Sequence, residues 1–399
     1  MARRNRGCTV CIPRMASTAT TFVPFSLSNV GPDEIEEVVA TLESGWLTTG
    51  PRVRRFESEF AAYTRAPHAV AVNSCTAALH LSLLACGVGQ GDEVVTTPLT
   101  FCATANVVVH TGATPVFADI DPSTWNLDPE AAADRLTPAT RVLLPVDYAG
   151  RPADLDAFER LARANGLMVI EDAAHCVEGA IGSRKVGSIA DFTCFSFYAT
   201  KNLTTGEGGM VTAKDDAAAA FIRTASLHGM SRDAWARYAP GGSPHYDVTM
   251  PGFKYNMMDL QAAIGLRQLA RIGAMHARRE TICARYDDGL ADLPLFRPAP
   301  PAAGIVDARH LYPVLVDPLS CGVTRDTLQQ RMRQAGVDTS IHFRAVHLHS
   351  YYRDRFGFER GMFPHAEAVS DQTLSLPLSA AMADGDVDRV IEVLHACIR

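Results

Sequence analysis

The chain has 399 residues, 47% of them hydrophobic and 20% charged, which is more than one typical domain and the balance of a globular protein. Its net charge of −7 gives no electrostatic case for binding nucleic acid or an anionic membrane surface. No apolar run approaches transmembrane length, and the Arg-rich, then small and polar, residues 1–20 lack the apolar core of a signal peptide. The expected location is the cytoplasm.

The ten cysteines are scattered, mostly inside apolar runs. That pattern predicts reduced, buried thiols rather than a disulfide framework. Cys8-Thr9-Val10-Cys11 is a lone CxxC without a second pair, so no zinc site is expected there.

Residues 1–22 read as a flexible arm. Pro32-Asp33-Glu34 opens a helix with Ile35, Val38, Val39 and Leu42 on one face. Gly45 to Pro51 breaks it, and a second amphipathic helix runs from Val53 to Thr64. Strands and helices then alternate. Strands are predicted at Ala69–Asn73, Glu93–Thr97, Pro115–Phe117, Arg141–Val146 and Leu167–Glu171. Helices are predicted at Cys75–Cys86, Phe101–His110 and Leu155–Ala164. Phe192–Phe197 and Gly208–Thr212 read as two further strands. Continuously apolar strands separated by helices imply an α/β fold, with a mostly parallel mixed sheet covered by helices.

Met258 to Leu290 reads as one long helical stretch able to bridge two domains. Pro294–Gly304 is a Pro- and Ala-rich loop. A strand (Leu311–Val316), a helix (Arg325–Ala335), an apolar segment (Val337–Phe343) and two helices (His365–Leu374, Asp386–Cys397) follow. The expected division is an arm at 1–22, a large domain at 23–270 and a smaller C-terminal α+β domain at 271–399. No internal repeat is present.

Four stretches carry residue types suited to chemistry. In Asn73-Ser74-Cys75-Thr76 a strand turns into a helix N-terminus, which offers free N–H groups to a phosphate. Val169-Ile170-Glu171-Asp172-Ala173-Ala174-His175 places two acids at a strand's carboxyl end, where α/β sheets bind ligands. There a carboxylate can hold a protonated ring nitrogen. Ser196 to Gly209 sets Lys201 between an apolar strand and a glycine-rich turn, where desolvation makes an amine a usable nucleophile. Gly252 to Asp259 is a polar, aromatic loop that opens the long helix. Taken singly, each also reads as ordinary structure: an N-cap at Ser74 or Thr76, a strand-end acid, a loop lysine, a cap at Asn256 or Asp259. Gly87-Val88-Gly89-Gln90-Gly91 precedes a strand with the wrong spacing for a dinucleotide fingerprint and is a turn. His342, His347 and His349 lack Cys or carboxylate partners at zinc spacing, so no metal is expected.

Together these pieces suit pyridoxal phosphate: a phosphate cradle, a strand-end Asp, a Ser–Lys pair and an aromatic at Phe101. In these motifs the chain resembles the DegT/StrS-type sugar aminotransferases, pyridoxal-phosphate enzymes of the aspartate-aminotransferase fold. The resemblance runs from Phe22 to the C-terminus. It is strongest at Asn73–Leu79, Ile170–His175, Ser196–Gly209 and Gly252–Gly265, with His342-Phe343 and Ser375-Leu376-Pro377-Leu378 beyond them. It implies that Lys201 carries the cofactor as an imine and serves as general acid–base. Asp172 pairs with the ring nitrogen, Phe101 stacks on the ring, and His175 sits near the ring hydroxyl. Ser74, Cys75, Thr76 and Ser196 hold the phosphate. His342 would touch substrate. Asn256 would reach the phosphate of a neighbouring subunit, which implies a homodimer with shared active sites. Gly206, Gly208 and Gly209 would let the backbone turn tightly past the lysine.

Asn73 and Cys75 stand where family members often have glycine. The Lys254-Tyr255-Asn256 form resembles members that act at C4 of UDP-sugars. The implied reaction moves an amine from an amino acid, L-glutamate being the expected donor, to a nucleotide-linked keto-sugar. Keto-cyclitols are the alternative acceptor. Sugar dehydratases of this fold carry His at the lysine position, and Lys201 argues against that chemistry. A non-catalytic regulator would have no need of Asp172, Ser196 and Lys201 together.

Overall fold

The computed structural model describes residues 22–231 and 245–398. The expected arm, apart from Phe22, and the Cys8/Cys11 pair lie outside the described residues. Two helices come first, α1 (Pro32–Glu43) and α2 (Pro51–Thr64). Strands and helices then alternate: β1 (His68–Val72), α3 (Cys75–Ala85), β2 (Glu93–Thr96), α4 (Ala103–His110), β3 (Thr114–Phe117), α5 (Pro129–Ala133), β4 (Thr140–Leu144), α6 (Leu155–Asn165) and β5 (Met168–Asp172). A hairpin of β6 (Ala180–Ile181) and β7 (Arg184–Lys185) follows, then β8 (Phe192–Ser196), β9 (Gly209–Ala213) and α7 (Asp216–Ala225).

Seven strands form one sheet in the order β1-β9-β8-β5-β4-β2-β3. Strands β3, β2, β4, β5 and β8 run parallel, and β9 runs antiparallel to both β8 and β1. The expected mostly parallel mixed sheet is therefore present. Its strands are apolar throughout because alternate residues serve opposite faces and both faces are covered. Val94, Val142, Ile170 and Val211 pack with Leu79, Val107 and Ile222 of α3, α4 and α7. On the other face, Val95, Leu143 and Val169 meet Leu155 and Phe158 of α6. On that same side Phe195 and Met210 meet Phe56 and Phe60 of α2. Helix α3 is itself enclosed: Cys75 and every residue from Ala77 to Leu83 are buried, which explains its lack of a polar face.

Three expectations need correction. The stretch 258–290 is two helices, Asp259–Ala270 and Ile272–Gly289. Arg271 leaves helical geometry at φ −115°, ψ 10°, with its Nε donating to Glu34 Oε1 at 2.8 Å. This tertiary anchor interrupts a pattern whose apolar spacing continues through the break. The helix expected over 365–374 ends at Gln372. After β10 (Ile305–Val306), which extends the β6–β7 hairpin, comes β11 (Tyr312–Leu315). It pairs antiparallel with β12 (Thr373–Leu376) and so takes Thr373 and Leu374 out of the helix. Finally, α4 begins at Ala103, which leaves Phe101 in the preceding loop.

Part of the C-terminal stretch forms a separate core, while Ile272 and Met275 pack with Phe56 and Phe195, and Val346 and Phe363 with Leu99 and Phe117. Ile282, Tyr286, Leu328, Val390 and Leu394 pack around Val314 and Leu374 of the two-stranded sheet. Val23 joins this core, donating its N–H to Gly336 O at 2.7 Å and accepting from Asp338 N at 2.9 Å. Among the described residues, no helix is long and apolar enough to cross a membrane.

Candidate active site

The carboxyl ends of β1, β5 and β8 converge at one place. After β1, Ser74 caps α3, its Oγ accepting from Ala77 N at 3.1 Å. The N–H groups of the first helical turn, at Cys75 and Thr76, have no intrahelical acceptor and carry the positive end of the helix dipole. Strand β5 ends on Asp172 and β8 on Ser196. The chain then loops through Lys201 to β9. Phe197 N donates to Gly208 O and Thr205 N to Phe197 O, each at 2.9 Å. Ser74, Cys75, Thr76, Phe101, Asp172, His175, Ser196, Lys201 and His342 all line one cavity of about 530 Å³. Asn256 lies outside that cavity, its Nδ2 donating to Thr49 Oγ1 at 2.7 Å.

The three glycines after Lys201 serve two different purposes. Gly206 has φ +80° and so needs the freedom of glycine to turn the loop. At Gly209 the reason is a close approach: a Cβ there would stand 2.5 Å from Ser74 C and 2.7 Å from Cys75 N. A Cβ at Gly208 would meet Thr205 Oγ1 at 2.2 Å. Strand β9 thus presses directly on the turn that starts α3. Gly209→Ala is expected to displace that turn, lowering stability by about 1–3 kcal/mol and speeding loss of an anion held there. Thermal unfolding and cofactor retention on gel filtration measure the two effects.

Asp172 is buried, and three donors reach it. Thr104 Oγ1 donates to Oδ2 at 2.8 Å, Ala174 N to Oδ1 at 3.2 Å, and Cys75 Sγ lies 3.8 Å from Oδ1. Burial raises its pKa, while Thr104, Ala174 and the charge of Lys201 oppose the rise. A carboxylate offers about four lone-pair sites, so one remains for a donor in the cavity. Burial lowers the Lys201 amine to about 8, against the pull of Cys75 and Asp172. Burial likewise holds His175 well below the usual histidine range and His342 at about 3, with the charge of Lys201 adding to both. The cavity therefore holds one titrating amine among neutral imidazoles. His175 Nδ1 accepts from Ala149 N at 3.3 Å, so its proton sits on Nε2.

The sequence model of the DegT/DnrJ/EryC1/StrS aminotransferase family matches residues 29–395. The chain belongs to this family. It is 51% identical over 380 residues to the spore coat polysaccharide biosynthesis protein SpsC of Bacillus subtilis, covering 95% of this chain and 97% of that protein. The solved putative sugar aminotransferase Spr1654 of Streptococcus pneumoniae, in its PMP-form, superposes with a TM-score of 0.87 at 35% identity, covering 94% and 99% of the two chains. The structure of DesI in the presence of its TDP-sugar product gives a TM-score of 0.84 at 33% identity, covering 95% and 93%. The chain is thus a pyridoxal-phosphate-dependent sugar aminotransferase.

The donor set fits pyridoxal phosphate. The first turn of α3 and Ser196 suit its phosphate, and the spare lone pair of Asp172 suits a ring N–H. Phe101 is 59% exposed, an apolar ring with no cover of its own, as a stacking face requires. Three residues of this aminotransferase site escaped the sequence reading. Thr104 holds Asp172; its signal was only a polar residue at the start of an apolar helix. His310 packs against His175 with ring centroids 4.4 Å apart and the rings tilted by 39°. Phe343 lies 6.1 Å from Phe101 and 5.9 Å from His175 between ring centroids. The family motif at His342-Phe343 pointed to it, but no role was attached.

A lysine with a pKa of about 8 makes a kinetic prediction. Capture of pyridoxal phosphate by the apoprotein, followed by absorbance, should accelerate up to about pH 8 and then level off. An unperturbed lysine would keep accelerating toward about pH 10.4, and that profile would contradict the burial argument.

Proposed function

We propose that this enzyme moves the amino group of L-glutamate to a keto group of a nucleotide-linked sugar, at C4, as a homodimer with shared active sites. The observation that carries the reading is the meeting of Lys201, Asp172, Ser196 and the first turn of α3 in one cavity of about 530 Å³. Ligand pockets span roughly 300–1,000 Å³, so the cavity has room for a sugar beside the cofactor. Bound there, pyridoxal phosphate supplies the electron sink that lets an amine pass between an amino acid and a ketone. Lys201 Nζ takes a proton from the substrate carbon and returns it, and its lowered pKa suits that work near neutrality. Asp172 would offer its spare lone pair to the ring nitrogen, with Thr104, Ala174 and the charge of Lys201 favouring its ionised form against burial. Phe101 offers its exposed ring to the cofactor's face, with Phe343 beside it at 6.1 Å between centroids. His175 would offer its Nε2–H to an oxygen of the bound cofactor.

The sugar reading is supported by the family, by the polysaccharide role in SpsC's name and by the TDP-sugar product in the DesI structure. The C4 position rests on the Lys254-Tyr255-Asn256 form alone. A shared site is supported by charge. No arginine lines the cavity among the described residues, yet a phosphate and a dicarboxylic donor both call for cations from elsewhere. Helix α1 also leaves Ile35, Val39 and Leu42 each about half exposed on one stripe, a face suited to a second copy. All eight described cysteines are free, as a reducing cytoplasm allows.

A panel of nucleotide keto-sugars and keto-inositols with glutamate, read by product mass, tests the reading. Amination of keto-inositols alone would sink the nucleotide-sugar assignment. Sedimentation at assay concentration tests the assembly, and an active monomer would sink the shared site.

A further inference from the structure

His310 sits on the wall of the cavity, and the partners of its Nδ1 fix where its proton lies. Asn202, directly after Lys201, donates both hydrogens of its Nδ2: to Glu178 Oε2 at 3.0 Å and to Ala308 O at 2.8 Å. A backbone carbonyl can only accept, so the amide cannot be flipped without setting its oxygen against Ala308 O. Glu178 is in turn held by Arg279 in a buried ion pair. The Asn202 Oδ1 therefore faces His310 Nδ1, at 3.0 Å, and Nδ1 must carry the proton. The imidazole is neutral, because burial and then the charges of Lys201, His342 and Arg279 lower its pKa well below the usual range. The backbone of His310 is pinned too. Its N–H donates to Ala149 O at 3.0 Å, and Ala308 N donates to Gly150 O at 2.8 Å. Gly150, at φ +106°, would carry a Cβ 2.9 Å from His310 N.

The two neighbouring imidazoles, tilted by 39° with centroids 4.4 Å apart, are thus locked as opposite tautomers. His175 presents Nε2–H, a donor. His310 presents a bare Nε2, which has no protein partner among the described residues and belongs to a ring lining the cavity. We propose that Asn202 locks His310 as the Nδ1–H tautomer, so that its Nε2 accepts a hydrogen bond from a hydroxyl of the ketone substrate and selects polyhydroxy ketones. An unpaired nitrogen lone pair repels a carboxylate, so this contact serves the ketone half of the reaction rather than the amino-acid half. The inference rests on the aminotransferase reading above, and it needs only a hydroxylated ketone, not a particular nucleotide or ring.

The tautomer is read directly by nitrogen NMR of holoenzyme labelled with [15N]histidine, with His310 assigned from the spectrum of His310→Gln. An N–H at Nδ1 and a bare Nε2 are expected. An Nε2–H tautomer or an imidazolium overturns the proposal, whatever the variants do. The second arm compares the accepted ketone with its analogue lacking one hydroxyl. Wild type should prefer the hydroxylated ketone by about ten- to a hundredfold in kcat/KM. His310→Phe should lose most of that preference, mainly through KM for the ketone, and His310→Gln, whose amide oxygen can still accept, should regain part of it. A His310→Phe enzyme with its preference intact overturns the contact. A wild-type enzyme that aminates no polyhydroxy ketone sinks the functional reading. One that aminates such a ketone but is indifferent to all its hydroxyls sinks only the His310 assignment.

Discussion

Lys201→Ala is expected to lower amine transfer by about 10³-fold or more. The substitution removes the nucleophile that anchors the cofactor, an amine that burial lowers to about 8. Borohydride treatment of the wild-type holoenzyme should add the cofactor's mass to the peptide holding Lys201, and the variant should show no such adduct. Folding should not suffer. Burial lowers the folded amine to about 8, below its unfolded value, so the unfolded chain binds more protons between the two. Stability of the apoprotein then rises with pH across that window, and below it the buried charge is a penalty that alanine removes. A variant that keeps full transfer would refute the assignment, and one that melts much earlier at neutral pH would refute the burial argument.

Asp172→Asn should lower turnover by about 10²- to 10³-fold while leaving cofactor retention largely intact. The amide keeps the shape of the carboxyl but not its charge, so a protonated ring nitrogen loses its counter-ion. The three groups that reach Asp172, namely Thr104 Oγ1, Ala174 N and Cys75 Sγ, are all donors. An amide can keep its oxygen toward Ala174 N and Cys75 Sγ and turn its NH₂ toward Thr104 Oγ1, a hydroxyl that can accept it and give its own hydrogen to Phe101 O, 3.1 Å away. Turnover should therefore fall with little change in thermal unfolding. Thr104→Val removes one donor and keeps the charge. Burial then pushes the Asp172 pKa further up, and the loss of activity should be smaller than in Asp172→Asn and greatest at acidic pH. Equal effects from the two variants would show that the charge of Asp172 is not what matters.

Much of the site was legible in the sequence because its parts are local. A cap residue after a strand, an acid at a strand end and a lysine before glycines each occupy a few consecutive positions. The apolar strands likewise announced a sheet covered on both faces, since side-chain direction alternates with a period of two. The misread elements failed where a distant partner overrode a local pattern. Arg271 breaks a helix at Glu34, 237 residues away, and β11 draws Thr373 out of a predicted helix. Gly209 was read as a turn residue, and its close neighbour proved to be Ser74, just past the end of the adjacent strand β1 and 135 residues earlier in the chain.

The sequence by itself determined the fold class, the family and the residue types present at the end of each strand. It could not determine their protonation. The pKa of Lys201, the donors on Asp172 and the tautomer of His310 depend on contacts between residues 68 (Thr104–Asp172), 97 (Cys75–Asp172) and 108 (Asn202–His310) positions apart. Periodicity and spacing carry no information at that range. Only the tertiary structure places a buried amine among neutral imidazoles, because desolvation and hydrogen-bond partners are properties of an enclosed volume and not of a stretch of chain.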